Sequence, residues 1–226
     1  MLEFVSATRF TRDEFWERSA LGRSLIRIEG DERWVPRVAF ENRRGLPEVF
    51  NERIAAGSEH DILVFLHDDV FIDGLFIVDQ VRQGLEEFHV LGVAGNDQRV
   101  PRQFAWGFVD ITRDVVWDDR GHLHGGIGHG DVPAGPVTRF GETPAECELL
   151  DGVFMAARRS TLLEHGVRFD ERFGFHFYDL DFCRSVRAKG LRLGTWPIAL
   201  THQSKGNWGS PEWQKGYADY IGKWKE

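Results

Sequence analysis

Cysteine is scarce in this chain: Cys147 and Cys183 are the only two in 226 residues. Two thiols build neither a disulfide framework nor a cysteine-rich metal site, and they fit a reducing, cytoplasmic compartment. Long apolar runs are missing as well. No segment approaches the roughly 20 apolar residues of a membrane-spanning helix, and Met1 to Arg12 lacks the apolar stretch of a secretory signal. Positive charge is in deficit, with 28 Lys and Arg against 36 Asp and Glu and a formal net charge of −8. That balance argues against the basic footprint of a nucleic-acid binder or of a protein held on an anionic membrane. An acidic protein that handles anionic substrates needs local positive charge, and a bound divalent cation supplies it.

What is abundant is aromatic. The 18 Phe and 8 Trp imply a well-filled core, with some rings free to serve as platforms at a ligand site. Length and composition suit one α/β domain with a sizeable core.

The first hundred residues alternate strand and helix. Leu2–Ala7 reads as a strand, and Thr11 with Glu14 forms a capping box for a helix running to about Leu21. Arg37–Glu41 is a second apolar run. Pro47–Ala56 is a helix with Pro at its first turn and Gly57 past its end. Asp61–Leu66 is apolar almost throughout, as expected of a strand buried on both faces. Leu75–Phe88 is an amphipathic helix, and Val90–Ala94 is a further strand closed by Gly95-Asn96-Asp97. This alternation predicts a doubly wound, mostly parallel central sheet flanked by helices. Ligands of such sheets sit beyond the carboxyl ends of the strands, which puts Ala7–Arg9, Glu41–Asn42, His67–Asp69 and Gly95–Asp97 along one edge.

The second half is less regular. Phe104–Trp117 alternates like a strand or hairpin, and Gly121–Gly141, rich in Gly and His, reads as a long loop. Leu149–Arg158 is a strand, Tyr178–Lys189 a helix ended by Gly190, Leu191–Trp196 a strand and Pro211–Lys225 a short aromatic-rich helix. No repeat, linker or boundary divides the chain. Residues 1–226 are therefore expected to form a single domain, with a regular first half over 1–100 and a less regular second half over 101–226.

Three constellations carry chemistry. Asp68 and Asp69 end a fully apolar strand, where two adjacent carboxylates are costly unless a cation meets them. Mg²⁺ or Mn²⁺ would do so and would bridge to diphosphate oxygens; the plainer reading is a helix cap beside a solvated acid. Next, Tyr178-Asp179-Leu180-Asp181 opens a helix, so Asp179 and Asp181 point in different directions. Asp179 then faces a cleft while Asp181 caps the helix or pairs with Arg184; both acids also suit the helix dipole alone. Last, His202 follows an apolar run, as a ligand for Mn²⁺ more than Mg²⁺, or as an ordinary hydrogen-bonded histidine.

Taken in order, the acidic pair, Asp151-Gly152, the Tyr-Asp-Leu-Asp segment and the late His202 resemble the family 2 glycosyltransferases of GT-A type. The likeness is to a short branch with a His-Asp-Asp-Val metal motif, here His67-Asp68-Asp69-Val70. It implies transfer of a sugar from a nucleotide-diphosphate donor, such as a UDP-sugar, to a hydroxyl acceptor on a glycan or polysaccharide precursor, with Mn²⁺ or Mg²⁺. It assigns the metal to Asp69 and His202, the ribose or a metal-bound water to Asp68, and the general base to Asp179. Ala7, Arg9, Glu41 and Asn42 fall on the nucleotide side, with Asn51 supporting that site from below, in a nucleotide-binding half over 1–100; Asp151, Gly152 and Trp106 fall on the acceptor side, in an acceptor-side half and C-terminal segment over 101–226 that holds a smaller acceptor-side subregion. A single base on the acceptor side implies inversion at the anomeric carbon. The motif departs from Asp-X-Asp, leaving open which of Asp68 and Asp69 binds the metal. Tyr178 stands where the family has Glu.

Other readings remain beside this one. A sugar nucleotidyltransferase needs a Gly-rich loop after the first strand, and Ser6-Ala7-Thr8-Arg9 lacks it. A non-catalytic sugar- or nucleotide-binding domain of an assembly is compatible with Tyr178. His122, His124, His129 and Asp131 match no strong metal template. Trp106 and Trp117 stack on a sugar or pack in the core. Lys205, Trp208 and Trp213 are read as a segment that closes over the diphosphate.

Overall fold

The computed structural model describes residues 1–110, 114–204 and 208–226. In chain order the first half holds β1 (Leu2–Ala7), α1 (Arg12–Arg18), α2 (Ala20–Arg27), β2 (Trp34–Ala39), α3 (Leu46–Ala55), β3 (Ile62–Leu66), β4 (Val70–Ile72), α4 (Ile77–Glu87), β5 (Val90–Gly92) and β6 (Ala94–Asn96). Then come β7 (Phe108–Asp110), β8 (Val116–Trp117), β9 (Leu123–His129), β10 (Val137–Arg139), β11 (Ala145–Cys147), β12 (Leu149–Leu150) and β13 (Phe154–Arg158). The chain ends with α5 (Arg159–Glu164), α6 (Tyr178–Arg187), β14 (Leu193–Thr195), β15 (Leu200–His202) and α7 (Pro211–Trp224).

The central sheet runs β11-β14-β5-β13-β3-β1-β2. β2, β1, β3, β5 and β14 point one way, and β13 and β11 run against them. It is the mixed, mostly parallel sheet flanked by helices that the alternation predicts. β1 and β3 are buried at every position, so their apolar runs face packed layers on both sides. β13 inserts between β3 and β5, which threads the second half of the chain into the sheet of the first.

Several boundaries move for local reasons. The capping box at Thr11 forms, with Glu14 N–H on Thr11 Oγ1 at 3.4 Å and Thr11 N–H on Glu14 Oε2 at 3.0 Å. The helix nevertheless ends at Arg18, because Ser19 closes α1 and caps α2 by accepting from Gly22 N–H at 2.9 Å. The expected strand Val90–Ala94 splits at Val93, β5 staying in the central sheet and β6 joining a second sheet in the order β12-β6-β9-β15-β4. Leu149–Arg158 likewise splits at Asp151-Gly152.

The largest correction concerns Gly121–Gly141, expected as a loop. It contains β9, a central strand of the second sheet, with β10 paired to it. Its glycines mark close backbone approach instead of a turn: a Cβ at Gly125 would collide with the Val93 carbonyl, and one at Gly141 with the Leu123 carbonyl. Gly125 also sits at φ +81°, which side chains avoid.

Asp181 neither caps α6 nor pairs with Arg184. It is fully buried and accepts from Lys223 Nζ at 2.8 Å and Trp224 Nε1 at 2.9 Å, while Arg184 reaches Glu226 at 2.9 Å. These contacts clamp α7 onto α6, the helix that starts with Asp179. Asp181→Ala is expected to cost about 2 kcal/mol in urea denaturation and to speed amide exchange across Pro211–Trp224 ahead of β1 and β3. Unchanged exchange in α7 would show that the aromatic packing alone holds it.

Candidate functional site

Strand register brings the candidate residues together. β3 ends at Leu66, opposite Phe154 of antiparallel β13, and His67 N–H points to Val153 O at 3.4 Å. The chain then turns through Asp68-Asp69 into β4, whose Val70 is paired with His202 of β15. That pairing sets His202 beside Asp69, although 133 positions separate them along the chain.

Ligand atoms of His67, Asp69 and His202 all lie within 4.8 Å of one another. His202 Nε2 is 3.3 Å and His67 Nδ1 3.9 Å from Asp69 Oδ1, a buried oxygen with no well-formed hydrogen bond. Tyr178 fixes the tautomer of His67. The Tyr178 hydroxyl gives its one proton to Gly152 O at 2.8 Å, so it accepts from His67 Nε2–H, also at 2.8 Å. Nδ1 is left as a lone pair facing Asp69. Burial keeps His67 neutral, with His202 adding to that effect and Asp69 opposing it. Burial alone would raise the Asp69 carboxyl; the neighbouring His202, then His67 and Ser204, outweigh it and hold Asp69 at about 2. An orphaned carboxylate oxygen facing an imidazole lone pair is the donor set of a divalent-cation site. Two nitrogens and one oxygen favour ions such as Mn²⁺ over Mg²⁺.

Asp68 stands apart from this group. Its side chain lines a cleft of about 630 Å³, and burial pushes its carboxyl up against a hydrogen bond from Thr8, with the charge of Asp69 adding to the rise. Ala7, Arg9 and Asn42 line the same cleft with Arg43, Arg44 and Arg172. Arg9 and Arg43 have no ion-pair partner among the described residues, so this wall is cationic although the chain is acidic.

Two residues assigned to the nucleotide side lie elsewhere. Glu41 is exposed, at φ 48°, outside the cleft lining. Asn51 spends its amide on Phe169 and Glu171: Nδ2 donates to Phe169 O at 2.8 Å and to Glu171 Oε1 at 2.9 Å, and Oδ1 accepts from Phe169 N–H at 3.0 Å. It braces the chain leading to α6, and the pairing of its side chain with a distant backbone could not be read from local sequence.

Around Asp179 the geometry is tight. Gly152 N–H donates to Asp179 Oδ2 at 3.1 Å, and a Cβ on Gly152 would come within 2.6 Å of the Tyr178 hydroxyl and 2.8 Å of Asp179 Cβ. Only glycine fits there. Burial, then the charge of Asp151, pushes Asp179 up to about 7 against backbone hydrogen bonds that lower it. Asp151 is itself held by Trp106 Nε1 at 2.7 Å and Val153 N–H at 2.9 Å. Trp106 is only 8% exposed, with Phe140 and Trp117 edge-on to it, so it orients Asp151 instead of presenting a face to a sugar. Trp117, 45% exposed, is the open ring of that cluster.

The remaining candidates do not converge. His122 Nδ1 and His124 Nε2 each meet Asp97, at 2.7 and 3.1 Å, while exposed His129 lies further along β9. Trp213 is buried against Phe104 and Tyr217, contrary to a closing segment; Trp208 packs edge-on to Phe108, and Lys205 lies outside the described residues. Sequence reasoning missed His67 as a member of the group with Asp69 and His202, and Tyr178 as its partner. The signal was there in His67 preceding the acidic pair, but a side-chain contact across 111 positions has no local signature.

No protein-family model matches the chain, and no curated protein matches it in sequence. Solved structures do. GalNAc-T7, crystallised with UDP, GalNAc and Mn²⁺, aligns at TM-score 0.52 and 12% identity over 98% of this chain and 47% of its own. S. aureus TarS 1-349 aligns at TM-score 0.50 and 12% identity over 89% of this chain and 60% of its own. The fold is of the GT-A glycosyltransferase type. This chain thus spans about half to three fifths of the length of those GT-A structures.

Within this GT-A fold Asp179 gives a pH test. The folded protein holds the Asp179 proton up to about pH 7, whereas an ordinary carboxyl releases it near 3.8. The folded state therefore binds more protons across that window, and stability falls as pH rises through it. Metal-free Asp179→Asn should melt several degrees above wild type at pH 8 and close to it near pH 4. Equal melting at both, by calorimetry, would place the Asp179 pKa near its ordinary value.

Proposed function

We propose that this protein is a divalent-metal-dependent glycosyltransferase, moving a sugar from a nucleotide-diphosphate donor to a hydroxyl of a glycan or polysaccharide-precursor acceptor. The observation that carries the reading is the convergence of His67 Nδ1, His202 Nε2 and the orphaned Asp69 Oδ1 beside a cationic cleft at the carboxyl ends of β1, β2 and β3. A bound Mn²⁺ or similar ion would neutralise charge on the departing diphosphate.

The chain's own residues divide the remaining work. Asp68, with Ala7, Arg9 and Asn42, forms the nucleoside wall, and Arg43 meets donor charge without proton transfer, while Arg44 beside it is paired with Glu52. Asp179 is the base: a carboxyl held near pH 7 is matched to removing a proton from a hydroxyl at neutral pH. Asp151, fixed by Trp106, both raises Asp179 and offers an acceptor for a second substrate hydroxyl. One base and no second carboxylate nucleophile among these groups favours inversion. Residues 1–226 work as one unit in this reading, the donor half over 1–100 and the acceptor-side half over 101–226, since β13 and β15 bring residues of the second half to the ends of first-half strands. UDP is the leading nucleotide, because GalNAc-T7, which shares the fold, was crystallised with UDP.

A thermal-shift panel of UDP, GDP, CDP and dTDP, each with and without Mn²⁺, tests this. One nucleotide should stabilise only with metal, by about 2.7 kcal/mol at a hundredfold excess over its Kd. Asp69→Ala should abolish the metal-dependent part. Asp179→Asn should keep it and lower transfer by about 10² to 10⁴. No response to any nucleotide with metal sinks the proposal.

A further inference from the structure

Tyr178 stands where the resembling family has a carboxylate, and no step of the proposed transfer uses it. Its surroundings are not those of a side chain that merely fills space. The ring is 2% exposed, yet its hydroxyl lies at the meeting point of two functional groups. It accepts from His67 Nε2 at 2.8 Å and donates to Gly152 O at 2.8 Å, and the N–H of that same residue donates to Asp179 Oδ2 at 3.1 Å. Gly152 lacks the Cβ that would collide with this hydroxyl.

We propose that Tyr178 is a positioning residue that makes His67 a metal ligand and thereby sets the selectivity of the site for nitrogen-preferring transition ions over Mg²⁺. The argument rests on the metal-site reading of His67, Asp69 and His202. A neutral imidazole carries one N–H and one lone pair, and the hydrogen bond at one nitrogen decides which atom offers the lone pair. A carboxylate in place of Tyr178 would also accept from Nε2, but it would add negative charge in a buried setting beside Asp151 and Asp179. A phenol accepts without that charge. It also has a proton to spend on Gly152 O, a backbone acceptor that a carboxylate would repel. Tyr178 thus serves His67 on one side and, on the other, fixes Gly152, the residue whose N–H holds Asp179.

Co²⁺ is the probe, read by its d–d absorption and by calorimetry, with Mg²⁺ in parallel. In wild type, Co²⁺ should bind in a nitrogen-containing site. Tyr178→Phe, close to isosteric, should lower Co²⁺ affinity about 10- to 100-fold and weaken and shift the d–d bands toward those of His67→Gln. Mg²⁺ affinity, which depends less on imidazole, should change by less than about threefold. Ring ¹⁵N NMR of metal-free wild type, which needs no variant, should show His67 as the Nε2–H tautomer. An Nδ1–H tautomer, or Tyr178→Phe with unaltered Co²⁺ affinity and spectrum, overturns this inference and leaves the metal site standing. Wild type that binds no Co²⁺ overturns the metal-site reading and this inference with it.

Discussion

The site depends on a strand pairing. Val70 of β4 lies opposite His202 of β15, and Leu66 of β3 opposite Phe154 of β13. The two-residue turn between Leu66-His67 and Val70 is thereby gripped on both sides by strands from the last third of the chain. Asp69 meets His202 because of the first pairing; His67 meets Val153 because of the second, and its ring meets Tyr178. A slip of one residue in either strand would send every side chain to the opposite face. The buried residues of β3 and β13 fix the register, since Phe65, Leu66, Phe154 and Met155 are all fully buried. Packing of the core and geometry of the site are therefore one constraint.

Charge explains the rest of the arrangement. Asp68, Asp69, Asp151 and Asp179 gather beyond the ends of β3 and ahead of β13, in a chain that is already acidic. Each is handled differently. Asp69 is kept ionised by two histidines and Asp151 accepts from an indole N–H and a backbone N–H, while burial lets Asp68 and Asp179 rise. The arginines of the cleft approach none of these four in an ion pair among the described residues. Arg9 and Arg43 remain available to an anionic ligand, whereas Arg44 pairs with Glu52 and Arg172 with Asp170, and the carboxylates remain available to a cation. A site that neutralised its own acids internally would have neither vacancy.

How much of this was legible in the sequence follows the range of the forces involved. Buried strands and capped helices are local: Leu2–Ala7, the Thr11 box, Pro47 at a helix start and Gly190 past a helix end all sit where pattern reading expects them, to within a few residues. The edge carrying Ala7–Arg9, Asn42 and His67–Asp69 follows from the alternation of elements alone. What stayed hidden depends on close approach between distant segments. Gly125, Gly135 and Gly141 look like loop glycines until Val93, His129 and Leu123 are seen pressed against them. Asp181 looks like a first-turn acid until Lys223 and Trp224 arrive from α7. Asn51 looks like a support beneath the nucleotide until Phe169 takes both ends of its amide.

Tyr178 shows why such a residue resists sequence reading while mattering most. On its own it is a substitution of an aromatic for an acid at the mouth of a helix, which argues for loss of chemistry. In the fold it has traded a charge for a proton. Asp151 and Asp179 already crowd the space beside it, and a third carboxylate would raise Asp179 further beyond its value of about 7, leaving it protonated at neutral pH. A neutral hydroxyl keeps the lone pair of His67 aimed at Asp69 without that penalty. The same replacement that weakens a motif-based assignment thus leaves Asp179 held at about 7 and leaves the Nδ1 lone pair of His67 facing Asp69.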